Sequence, residues 1–229
     1  MRNTWWAKTL RIIGIVLMSL TAAFTLLGGA GTSCVALDPT GFGGTFAGIA
    51  PFQWLWILFV LIGIAAGVLG VRAVVLLVKG KKNAYRCTLI ALLIGTSINA
   101  IHLFASRLLR GSSMPVDAVL YINMLTLIIF LLFRIPAIWQ GVDYEKPEGE
   151  KTTGKQAAAI ALAACGLLSL TIQFLMAPTH TIGGVNYADV WHAALTLIGG
   201  GLLIASALNL FWPRFIAARQ KASADRLVI

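Results

Sequence analysis

Acidic residues are rare in this chain. Aspartate and glutamate together number eight in 229 residues, against 18 lysines and arginines, and all charged types make up only 11%. A soluble domain carries about 25% charged residues, so a soluble globular enzyme and a disordered tail are both excluded. Cysteine is nearly as scarce, with only Cys34, Cys87 and Cys165 present, which excludes a disulfide-rich secreted module. No GxxxxGK[ST] and no GxGxxG between strand and helix occurs, so the chain carries no nucleotide-driven motor of its own. GxSxG, HExxH, HxxxH and CxxC are missing too. No catalytic residue is assigned, and the balance leans away from an enzyme.

Apolar residues are what the chain has in excess. They make up 59% of it, with a mean hydropathy of +0.87. Six stretches are long enough to cross a bilayer, which takes about 20 helical residues: 10–31, 52–71 (running on to 78), 87–109, 118–138, 157–177 and 190–212. None alternates with period two, so closed barrels are excluded and helices remain. The expected fold is an all-α integral membrane protein: a six-transmembrane-helix bundle with short loops, one polytopic domain over 1–229. Residues 213–229 form its basic cytoplasmic tail. No loop is long enough to fold on its own.

Charge sets the expected orientation. Every lysine and arginine except Arg107 and Arg110 falls on one side of the six spans, and basic loops stay inside. Both termini are therefore expected in the cytoplasm of a cell inner membrane. The net charge of +10 and pI near 10.0 follow from that bias and from anionic inner-leaflet lipids as partners, not from nucleic acid. Tryptophans sit at span ends, with Trp54, Trp56 and Trp191 expected at the outer interface. The first span follows Arg2, Lys8 and Arg11 like a signal peptide, but its apolar run of about 20 residues exceeds the usual 7–15 or so. An uncleaved helix is the expectation.

Polar residues inside spans point to function. Gly95, Asn99, His102, Ser106 and Arg110 recur every three or four residues and share one helix face. Thr21, Thr25, Gly28 and Thr32 do so on the first span, Cys165, Ser169, Gln173 and Met176 on the fifth, and His192, Thr196, Gly199 and Ser206 on the sixth. Such stripes also serve plain helix packing. Gly63, Gly67 and Gly70 make a small-residue groove where another helix can approach closely.

All three histidines fall on the expected outer half. The leading expectation is non-catalytic binding or transport of a small solute or lipid through an outward-facing pocket lined by Asn99, His102, Arg110, Gln173 and His192. An alternative set, Cys34, His102, Met176, His180 and His192, has the imidazole, thiolate and thioether that suit copper or zinc. Haem or a quinone near the outer face belongs to that same redox reading, although no cofactor is required. A third reading is a structural or assembly subunit, joined to partner subunits or to a second copy through the glycine groove. At the outer turn, the simplest role for Arg110 is an ion pair with Asp117.

Overall fold

In the computed structural model, residues 4–145 and 151–226 are described, the side chains of 151–152 and 212–226 excepted. Seven α-helices dominate: α1 (Trp5–Leu37), α2 (Gln53–Val78), α3 (Ala84–Arg110), α4 (Val116–Leu132), α5 (Pro136–Val142), α6 (Lys151–His180) and α7 (His192–Arg226). Five of them are long and apolar enough to cross a membrane, and α4 with α5 makes a sixth candidate. The end where α1 begins is called proximal here, and the end where it finishes distal.

The expected fourth span, 118–138, is broken. Its helix stops at Leu132, and α5 departs at 99°. Pro136 explains the break: it disfavours helical geometry in the residue before it, and Ile135 accordingly adopts φ −56°, ψ 126°. The 17 residues of α4 rise only about 26 Å, less than the roughly 30 Å of a hydrocarbon core. The chain then lies crosswise at the proximal end. The helical part of the expected tail continues α7 past Pro213 to Arg226.

Helices α1 to α4 pack as a closed ring, each against its two neighbours in the order 1-2-3-4. The glycine groove of α2 faces α1 within this ring. A Cβ on Gly67 would lie 2.6 Å from Leu26 Cγ, and one on Gly70 would lie 3.0 Å from Ala22 Cβ. The groove is thus filled by the chain's own α1, which leaves it no room for a partner helix. Helices α6 and α7 form a hairpin seated on α1. At its tip, Thr181–Ile182 pairs antiparallel with Val185–Asn186, and Gly183 and Gly184 turn the chain at positive φ as a two-residue hairpin requires.

Aromatic side chains tie the distal end together. Trp56, in the first turn of α2, is fully buried, edge-on to Phe59 with centroids 5.7 Å apart. In the Gly-rich loop after α1, Phe42 meets Tyr187 at 5.0 Å, and Arg110 lies 4.7 Å over Phe46. The hairpin tip and this loop therefore join over the distal end.

Candidate functional site

A cavity of about 30 Å³ lies in the distal half of the four-helix ring, and all four helices line it. Polar lining comes from Thr25 and Thr32 on α1 and from Asn99 and His102 on α3; Phe59, Gly63 and Val119 supply apolar wall. No aspartate, glutamate, lysine or arginine faces it. One water needs at least about 10–15 Å³ on this measure, so the space suits a group of one or two heavy atoms.

His102 is the key lining group. Its side chain is buried, with 7% of the residue exposed, stacked on Phe59 at 4.4 Å and edge-on to Trp56 at 5.8 Å. Among the described residues nothing hydrogen-bonds to either ring nitrogen. Neither ring nitrogen is among the fully buried side-chain atoms left without a partner, so both face space that water or a solute can enter. Asn99 gives its amide N–H to Gly95 O at 2.7 Å and keeps its carbonyl oxygen free to accept. One turn beyond His102, Ser106 Oγ is buried without a partner among the described residues.

A polar seam runs on below the cavity. Asn123 Nδ2 donates to Thr25 Oγ1 at 3.2 Å and to Val119 O at 2.8 Å, and the Thr21 and Thr126 hydroxyls meet at 2.8 Å. The seam ends on aromatic rings. Tyr144, fully buried, stacks on Phe130 at 5.8 Å and donates weakly to Arg11 O at 3.4 Å. Burial pushes the Tyr144 phenol well above its ordinary pKa, against the opposing pull of the Arg11 charge, so it stays protonated and neutral.

The expected ligand set divides in two. Asn99 and His102 share the cavity, but Gln173 and His192 meet each other between α6 and α7, at 3.0 Å. Leu20, Phe24 and Leu27, on the face of α1 away from Thr25 and Thr32, pack against that hairpin, so α1 stands between the pairs. Arg110 stays at the distal surface, donating to Met114 O at 3.3 Å. Asp117 pairs with Arg107 instead, at 3.3 Å, and Arg107 Nε also donates to Ser113 Oγ at 2.9 Å. The Arg107 side chain is 54% exposed, so a double-mutant cycle of Arg107→Ala and Asp117→Ala should return at most about 1 kcal/mol of coupling.

Comparison with protein families, curated proteins and solved structures finds no match to this chain. What it does rests on its own residues.

Among the described residues, no three His, Cys, Asp or Glu side chains gather as a metal site. Of the alternative set, His180 is engaged with Thr179 Oγ1 and Met176 O, and Cys34 lies in the last turn of α1. The side chains missed from sequence are Asn123, Thr126 and Tyr144. The first two carried a signal, since polar residues three apart in an apolar run mark a buried face; Tyr144 carried none.

Proposed function

We propose that this chain is a multi-pass membrane protein, with its proximal end cytoplasmic, that binds a small uncharged solute non-catalytically in the distal cavity for uptake or sensing. The observation that carries this reading is the buried His102 imidazole, facing the cavity without a partner. Uncharged follows from the lining, because an ion taken out of water needs a counter-charge there. A lipid is disfavoured by size: pockets for drug-sized ligands run to about 300–1,000 Å³, an order of magnitude above this one. The orientation is supported by the basic proximal loops around Lys79, Lys81 and Lys82 through the positive-inside rule.

The test reads the imidazole directly. His180→Gln and His192→Gln leave His102 as the one histidine of the three, so ring ¹⁵N shifts in bilayers report that site alone. Methanol, ammonia or hydrogen sulfide, each of one or two heavy atoms, is expected to move those shifts saturably. His102→Ala should weaken binding of the same solute roughly tenfold, the worth of about one hydrogen bond, while the chain stays folded. If all three leave the ring shifts unmoved, the solute-binding reading fails.

A further inference from the structure

The cavity wall has a hydrogen-bonding sense. Thr25 and Thr32 line it from α1, and both have spent their hydroxyl protons, on Thr21 O at 2.7 Å and Gly28 O at 2.8 Å. A hydroxyl has a single proton to give, so toward a solute these two can only accept. Thr25 Oγ1 also takes the Asn123 amide, which leaves it one lone pair. Asn99 is turned the same way. Gly95 O can only accept, so the Asn99 amide nitrogen must face it. Its Oδ1 has no partner among the described residues and is not sealed off from the open space. A neutral His102 adds one accepting nitrogen and one N–H, and the second amide hydrogen of Asn99 is the other donor. Acceptors therefore outnumber donors around the cavity.

We infer that the occupant is a small neutral amine, ammonia or methylamine, held as a hydrogen-bond donor. This rests on the cavity being the solute site, and it adds the chemistry that the site selects. Among uncharged solutes of this size, methanol gives one hydrogen bond and can take two, and water gives as many as it takes. An amine gives more than it takes: ammonia has three N–H bonds and one lone pair, methylamine two and one. An acceptor left empty after desolvation costs free energy, so each further N–H counts in the guest's favour. Phe59 and Val119 leave an apolar side for a methyl group. No carboxylate lines the cavity, so the neutral base is bound and not its conjugate acid.

The test uses three probes of two heavy atoms each: methylamine, methanol and fluoromethane, which bring two, one and no donor hydrogens. Each is titrated against the full chain carrying His180→Gln and His192→Gln in bilayers, and the His102 ring ¹⁵N shifts are read. With concentrations counted as neutral amine, methylamine should bind roughly tenfold more tightly than methanol, the worth of about one hydrogen bond. Fluoromethane should give no saturable shift. The apparent affinity for methylamine should rise with pH as its neutral fraction grows; an affinity that tracks total amine overturns the neutral guest. Thr32→Val removes one acceptor at nearly constant volume and should bring the methylamine-to-methanol ratio toward one. Thr32→Ser keeps the hydroxyl and should keep the ratio, whereas a packing role for Thr32 would shift both probes alike. Methanol or fluoromethane binding within about threefold of methylamine overturns the amine and leaves a solute site standing. So does a ratio that Thr32→Val leaves unchanged. If neither these probes nor ammonia moves the ring shifts, the solute site itself is lost.

Discussion

A Gly67→Leu chain is expected to reach the membrane and then fail to assemble, with little or no monodisperse protein surviving extraction. A Cβ at position 67 would stand 2.6 Å from Leu26 Cγ and 3.1 Å from the Leu26 backbone nitrogen. The side chain of Leu26 can turn away, but its backbone nitrogen cannot. Leucine adds three more carbons, so α1 and α2 must separate along their whole contact. Overpacking alone costs about 1–3 kcal/mol. Forced separation of backbones costs more, because helix association in lipid depends on close packing instead of on hydrophobic burial. Gly200→Leu is the control: nothing lies within 4 Å of a Cβ there, and it should be close to neutral. Size-exclusion profiles of the two variants decide the matter, and a well-folded Gly67→Leu protein would mean that α1 and α2 do not meet at this groove.

Phe130→Ala should have the next largest effect, about 3 kcal/mol or more of lost stability. The ring is fully buried and touches Tyr85, Phe133 and Tyr144 at centroid distances of 6.2, 5.5 and 5.8 Å. Truncating a core phenylalanine typically costs about 3–5 kcal/mol. Lipid is as apolar as the protein interior, so the loss here is of packing contacts more than of transfer energy, which places the value toward the low end. Leu197 is 77% exposed on α7, and Leu197→Ala should stay within about 0.5 kcal/mol. Equilibrium unfolding in mixed micelles compares them. Equal losses at both positions would remove the proximal aromatic cluster from the core of the fold.

Hydropathy marks the helices well because lipid demands long apolar runs with internally satisfied backbones. It marks the fourth badly. Pro136 stands two residues from the end of the expected span, where a proline usually does no harm, and only the turn of Ile135 shows that it redirects the chain. The stripe on α3 is legible for a simple reason: Gly95, Asn99, His102 and Ser106 are all buried, as the periodicity of one helix face implies. Which stripes face one another is a different question. Gln173 and His192 are as polar and as periodic as Asn99 and His102, yet they belong to the other side of α1. No single-helix pattern carries that information, because it depends on neighbour order in the bundle. Tyr144 is the extreme case. It stands between Asp143 and Glu145, outside every apolar run, and only the three-dimensional path of α5 brings it under the ring.

Helix α1 touches α2, α4, α5 and α6, so the other helices lean on it heavily. It also precedes all of them in the chain. Until they arrive, Arg11, Thr21 and Thr25, all buried in the finished fold, have only lipid and water for company. The threonines can fall back on their own helix, since Thr21 and Thr25 donate to Leu17 O and Thr21 O. Arg11 carries a full charge, which holds that part of α1 near the proximal surface until the rest of the fold covers it. The helix is apolar enough to enter a bilayer early, yet it is finished as a structure only when the last hairpin docks. Assembly of the bundle is therefore a long wait by α1, whose polar face is covered in stages as the later helices arrive.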